Sequence, residues 1–249
     1  MAPPRDHDPL KPPPFTAEKA VFPRSEPEKD LPLWLADPEA DPALTDKFRR
    51  IKYQLQALKA RENLKVFAFA SPHGRAGVST ILSHCALVMS WDLLDQNFLV
   101  VDAHLGRPLL HRMFGVNPAP GLWEYVTQGQ TLTQVCQATF RPNLDVVVAG
   151  QPVPEVSSPF DLRTFSQLLV EGTRLYDFVL VDCPPVFEDS SAKIICSKVE
   201  GVVLVGEANR LRQEVLRACL RELGENARMV GTILNKREMV IPPFLYRLV

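Results

Sequence analysis

Six short, mostly apolar runs, at 66–70, 98–101, 144–148, 178–181, 202–205 and 229–234, each end at a polar or small residue, with longer mixed segments between them. Strand-like runs alternating with helical stretches predict a doubly wound, mainly parallel sheet of the α/β class. That architecture also limits where chemistry can sit, because open parallel sheets bind ligands outside the carboxyl ends of their strands. The rule places three segments, 71–80, 102–107 and 182–185, along one edge. With 249 residues, 46% of them hydrophobic, the chain can bury one substantial core, which implies a single α/β domain.

The remainder of the chain is read as tails. Eleven of the 23 prolines lie in the first 42 residues, a stretch with many charges and no glycine. Such a composition predicts a disordered or polyproline-like tail over 1–43. Its one apolar spot, around Trp34, is read either as packing on the domain or as a docking motif. From Thr45 to about Arg61 the prolines stop, and Phe48, Ile51, Leu55 and Leu58 recur at spacings of three and four, which predicts a helix. The domain is expected over 44–236, followed by a tail over 237–249.

Several function classes are excluded at this level. A net charge of −1 provides no global field to recruit nucleic acid. No apolar run approaches the ~18 residues of a transmembrane helix, and the N-terminus lacks the apolar core of a signal peptide. The five cysteines show no CxxC spacing and lie mostly in apolar runs, as buried thiols would. A cytoplasmic chain, reaching a membrane only through a partner, is the expectation.

The first run feeds Ser71-Pro72-His73-Gly74-Arg75-Ala76-Gly77-Val78-Ser79-Thr80, and the residues beyond are apolar almost all round a helix. Strand, glycine loop and buried helix form the setting of a phosphate-binding P-loop. In that device backbone N–H groups cradle the phosphates, a lysine neutralises them and a Ser/Thr hydroxyl holds magnesium. Gly74, Gly77, Ser79 and Thr80 keep the loop and the hydroxyls, whereas Val78 stands where the lysine would be. The second and fourth runs end in Asp102 and Asp182. A strand-end aspartate beside a P-loop can hold magnesium through water, or it can cap the turn that follows.

Together these segments resemble the bacterial tyrosine kinase family, the cytoplasmic ATP-binding partners of capsule and exopolysaccharide chain-length regulators, within the deviant P-loop ATPases. The family pattern runs Ser-x-Pro-Gly-Glu-Gly-Lys-Ser-Thr, then strand-Asp-x-Asp-x-Arg-x-Pro, then strand-Asp-x-Pro-Pro, and its matches extend over about 44–236. The resemblance implies ATP or ADP with Mg2+ as ligands. It assigns Gly74, Arg75, Ala76, Gly77, Val78, Ser79, Thr80 and Asn235 to the nucleotide, Ser79, Asp102 and Asp182 to the metal, and Asp102 and Asp182 to catalysis. It also implies subunit pairing through a charged helix motif, matched in sign here by Asp46, Arg49 and Lys52, and autophosphorylation of tail tyrosines, of which Tyr246 alone stands in this tail.

The departures fall on chemistry. Val78 replaces the lysine, His104 replaces the second aspartate of Asp-x-Asp, and Gly106 replaces an arginine, although Arg107 and Pro108 remain. Ser191 takes the place of a further aspartate. Phosphoryl transfer depends on positioning and charge stabilisation, and both are attacked. Arg75 is read either as a substitute phosphate binder or as a solvated loop arginine. The expectation is a catalytically impaired kinase-like protein that scaffolds or regulates polysaccharide synthesis and export. Its partners would be a membrane chain-length regulator or export protein, copies of itself, or an active paralogue in a mixed ring. An active autokinase and a partition-ATPase-like positioning adaptor are the alternatives.

Overall fold

The computed structural model describes residues 40–151, 162–208 and 210–236. The proline-rich segment before residue 40, the tail after 236 and Tyr246 within it lie outside the described residues. In chain order the elements are α1 (Pro42–Glu62), β1 (Val66–Ala70), α2 (Val78–Asp92), β2 (Phe98–Asp102), α3 (Leu110–Phe114), α4 (Leu122–Gln128), α5 (Leu132–Val135), β3 (Cys136–Ala138), β4 (Leu144–Val147), α6 (Leu162–Leu175), β5 (Phe178–Asp182), α7 (Ser191–Cys196), β6 (Gly201–Glu207), α8 (Gln213–Leu223) and β7 (Met229–Asn235). The strands form one seven-stranded sheet in the order β3-β4-β2-β5-β1-β6-β7. Every pairing is parallel except that of β3 with β4.

The central strands β1, β2, β4 and β5 are buried throughout. Alternation then assigns successive side chains to opposite faces. Val66, Ala68 and Ala70 join a core with α6, α7 and α8, through Phe165, Ile195 and Cys219 among others. Phe67 and Phe69 join the opposite core, built with α1, α2 and α3 through Phe48, Leu82 and Leu110. Phe178 stacks on Phe98 at 5.8 Å between ring centroids, which joins β5 to β2 across the second face. Among the described residues no helix is long and apolar enough to cross a membrane, and all five cysteines are buried and free.

The sequence reading, Thr45 to about Arg61, starts the first helix three residues late and ends it one residue early. Asp41 sets its true start: the carboxylate accepts the Leu44 N–H at 3.0 Å, and Pro42 occupies the first turn, where no N–H is needed. The antiparallel β3 is absent from that reading, because Cys-Gln-Ala is too short to show a period.

Helix α1 is fixed by charge as well as by apolar contact. Phe48 stacks on His84 of α2, with centroids 4.8 Å apart. Beside that stack, Arg49 grips both Asp92 oxygens at the end of α2, Nε to Oδ2 at 3.1 Å and Nη2 to Oδ1 at 3.3 Å. Lys52 Nζ reaches the same Oδ2 at 2.5 Å. Two of the three residues expected to face a neighbouring subunit are therefore engaged within the chain. Asp46 stays 68% exposed, with a 3.4 Å contact to Arg49.

Burial alone would raise the Asp92 pKa, but the hydrogen bonds and charges of Arg49 and Lys52 together hold it below the ordinary value. A depressed carboxylate contributes stability above its unfolded pKa, near ~3.9, and loses it as pH falls through the folded value. Asp92→Asn leaves the buried Lys52 ammonium without its counter-charge. It should destabilise the chain by about 2–3 kcal/mol, less than the ~3–5 kcal/mol of a fully buried pair because Asp92 retains some solvent contact. Urea unfolding at pH 7 and at pH 3 checks this: the deficit should shrink at pH 3, and an equal deficit at both would contradict it.

Candidate nucleotide cleft

The phosphate-loop geometry depends on two residues in the left-handed region. Gly77, with φ of 91°, caps the start of α2, and Arg75 has φ of 65°. At Gly77 the conformation is enforced by space, since a Cβ there would lie 2.5 Å from Asn235 Nδ2. That nitrogen donates to the Ala76 carbonyl at 2.8 Å, and Lys236 Nζ donates to the Arg75 carbonyl at 2.7 Å. The end of β7 thus buttresses the loop from behind. Asn235, assigned to the nucleotide by resemblance, is bonded to the loop itself.

With the carbonyls held back, the loop faces a cleft of about 490 Å3. Its lining includes Gly74, Arg75, Ala76, Gly77, Val78, Ser79 and Thr80 from the loop, His104, Arg107 and Arg112 from the β2–α3 region, and Asp182, Cys183 and Glu188 from the end of β5 and beyond. The cleft therefore gathers all three segments expected at this edge. Val78 is the first residue of α2 and is buried. Arg75 is exposed, as are Arg107 and Arg112. Burial lowers the His104 pKa, with Asp189 pulling upward and Arg107 adding to the decrease. His104 is accordingly neutral at pH 7 and supplies no charge.

Parallel register sets Asp102 directly opposite Asp182 at the ends of β2 and β5. Both side chains are buried, but their surroundings differ. Asp102 Oδ1 accepts the His104 N–H at 3.2 Å, and Oδ2 accepts the N–H groups of Leu109 and Leu110, each at 3.1 Å. This carboxylate organises the turn after β2, the capping role that a strand-end aspartate can play. Asp182 has no hydrogen-bond partner on either oxygen among the described residues. Burial raises its pKa well above the ordinary value, the Asp102 charge adds to the increase, and the neighbouring Ser79 hydroxyl, short of hydrogen-bonding geometry, opposes it. Asp102 is raised by burial to about 6, against the pull of its three N–H donors.

An orphaned buried carboxylate is a position where a cation or a proton is wanted. Among the described residues no group of three or more His, Cys, Asp or Glu could enclose a metal by itself. A magnesium ion, which keeps most of its ligands as water and phosphate oxygen, fits the donors that remain: Asp182 and the neighbouring Ser79 hydroxyl. The fit is to a nucleotide-borne ion rather than a protein-caged one.

Sequence reasoning missed the residues that close the cleft. Glu188 Oε1 accepts the Gly74 N–H at 2.7 Å, and Val186 and Phe187 bond the Ser71 and Pro72 carbonyls at 2.8 and 3.2 Å. The segment after β5 therefore runs alongside the loop. Asp189 accepts the Ser191 N–H and hydroxyl at 2.8 and 2.6 Å. The acidic pair after Pro184-Pro185 is a visible signal, but its target lies 114 residues away in sequence.

Because both aspartates are raised, the folded chain holds protons that the unfolded chain has released. Stability therefore falls as pH climbs from the ordinary aspartate value near ~3.9 through the folded values, about 6 for Asp102 and beyond. Asp182→Asn removes one of the two charges. Without divalent cations it should raise the melting temperature at pH 8 by about 2–4 °C, equivalent to ~1 kcal/mol for a chain of this size, and flatten the profile between pH 5 and 8. Thermal melts across that range test the expectation; a lower melting temperature at every pH would contradict it.

No family model matches the sequence. The tyrosine-protein kinase YwqD of Bacillus subtilis is 23% identical over 196 residues, 78% of this chain and 82% of that protein. The tyrosine-protein kinase etk of Escherichia coli K12 is 29% identical over 210 residues, 83% of this chain but only 28% of that longer protein. The solved kinase domain of Escherichia coli ETK superposes with a TM-score of 0.77 at 26% identity, covering 88% of this chain and 86% of that one. The septum site-determining protein MinD of Pyrococcus horikoshii, solved with Mg-ADP, shares the fold at a TM-score of 0.57 and 21% identity, covering 74% and 76% of the two chains. By sequence and fold together, this chain is similar to the bacterial tyrosine kinases and shares their P-loop-type α/β architecture.

Proposed function

We propose that this chain is a catalytically impaired tyrosine-kinase-like protein of the capsule and exopolysaccharide pathways, one that works through protein contacts. The observation that carries the reading is Val78. It opens α2 where the phosphate-binding lysine would stand, and its side chain is buried and apolar. His104 is neutral, and Asp102 is tied into its own turn. The parts that bind phosphate through backbone are kept: a left-handed glycine at the cap, a loop held from behind by Asn235 and Lys236, and a long buried helix. Weak nucleotide binding without productive transfer follows from that combination.

One observation favours a second reading, an active autokinase. Asp182 borders the cleft with both oxygens unpartnered, and Arg75, Arg107 and Arg112 line it, so a metal-side carboxylate and substitute cations are both at hand. Phosphotyrosine decides between the two. Anti-phosphotyrosine blotting of the purified full chain with Mg-ATP should show no signal, and a signal abolished by Asp182→Ala would establish the active reading. Calorimetric titration of Val78→Lys should show nucleotide binding strengthened by about 1–3 kcal/mol, the range for hydrogen bonds to a charged group.

Contacts with a membrane regulator, an export protein, further copies of the chain or an active paralogue would use surfaces that the fold leaves open. On α1 these include Asp46 and the 58% exposed Tyr53, whereas Arg49 and Lys52 are bonded to Asp92. Exposed ion pairs contribute only ~0–1 kcal/mol each. Asp46→Lys should therefore weaken self-association modestly in light scattering while leaving the fold intact by circular dichroism. No change in mass at low salt would remove Asp46 from the interface, and full dissociation would contradict its role as one weak exposed pair.

A further inference from the structure

We infer that Glu188 makes this cleft selective for a nucleoside diphosphate over the triphosphate. The inference rests on the reading that the cleft retains phosphate binding, and it names the ligand that such a cleft accepts.

The N–H groups at the start of α2, from Val78 to Thr80, lie ahead of the first intrahelical bond, Ile81 N–H to the Gly77 carbonyl at 3.0 Å. The residues that carry them line the same cleft as Asp182, with its two unpartnered buried oxygens. A helix N-terminus with a cation-seeking carboxylate beside it suits one phosphate and its magnesium ion. Gly74 is four residues upstream of Val78, on the outer part of the same loop. A longer polyphosphate lying along the loop would draw on that N–H, but it is already bonded at 2.7 Å to a carboxylate.

Glu188 is well placed to stay there. The second oxygen, Oε2, lies 3.0 Å from where a Cβ on Gly74 would be, so the carboxylate covers this glycine closely. Backbone bonds from Val186 and Phe187 to Ser71 and Pro72 hold its segment against the loop, and the Phe187 ring meets His73 at 5.2 Å. His73 Nδ1 is 4.0 Å from Glu188 Oε1. A further phosphate in the outer cradle has to displace a charge-assisted hydrogen bond and face the carboxylate's negative charge. A diphosphate seated at the helix end avoids both.

Titration calorimetry of the full chain with ADP and with ATP, each with Mg2+, reads this directly. The wild type should bind ADP about tenfold more tightly than ATP. Glu188→Ala should bring ATP to within about threefold of ADP, chiefly by tightening ATP, and Glu188→Gln, which keeps an acceptor without the charge, should fall between the two. Equal affinities in the wild type, or an equal gain for both nucleotides in Glu188→Ala, would overturn the selectivity while leaving the cleft a nucleotide site. Binding of neither nucleotide to any of the three proteins would overturn it together with the phosphate-binding reading. Circular dichroism confirms that the variants are folded, as expected for a half-exposed side chain at a loop surface.

Discussion

Parallel pairing of β2 with β5 is the constraint from which the site follows. In that register two aspartates fall opposite one another out of water, where burial raises both pKa values and the Asp102 charge further raises that of Asp182. The chain deals with them unequally. Asp102 receives three backbone N–H groups and becomes part of the turn after β2. Asp182 receives none and opens on the glycine loop. A carboxylate left in that state destabilises the apo protein, so its presence is explained by what it can bind better than by what it holds together.

The loop beside it shows the complementary pattern, with support intact and charge missing. Gly77 takes its left-handed cap, Asn235 and Lys236 hold the carbonyls behind, and α2 is buried along most of its length. All of this orients the loop backbone, and the Lys236 ammonium is bonded to the Arg75 carbonyl. Val78 removes the cation that would have done most to stabilise charge on a transferring phosphoryl group. The loop keeps its shape while Val78 stands in place of the lysine, and the proposed non-catalytic role rests on that combination.

Much of this was legible in sequence because it is local or periodic. Apolar runs ending in Asp102 and Asp182 announced buried strands with chemistry at their carboxyl ends, and the spacing of Gly74, Gly77, Ser79 and Thr80 announced the loop. What stayed illegible depends on contacts between distant segments. The sequence presents Asp46, Arg49 and Lys52 as a subunit-pairing motif and gives no sign that Asp92, forty or more residues on, bonds both Arg49 and Lys52. The bond from Asn235 to the Ala76 carbonyl, which fixes the loop whatever else this residue contacts, likewise joins segments far apart in sequence. Glu188 carried no signal beyond being acidic, because its partner is a backbone N–H across the cleft. Charge pattern alone does not say whether a side chain meets solvent, a neighbouring subunit or its own chain.

The central claim, a phosphate-loop fold without phosphoryl-transfer chemistry, is tested most directly by turnover. Purified full chain is incubated with Mg-ATP, and phosphate release is followed over many equivalents of protein. The account predicts no multiple turnover above the rate of the Asp182→Ala variant. Sustained release by the wild type that the variant loses would contradict it, and would mean that Asp182 and the cleft arginines perform the chemistry without the lysine.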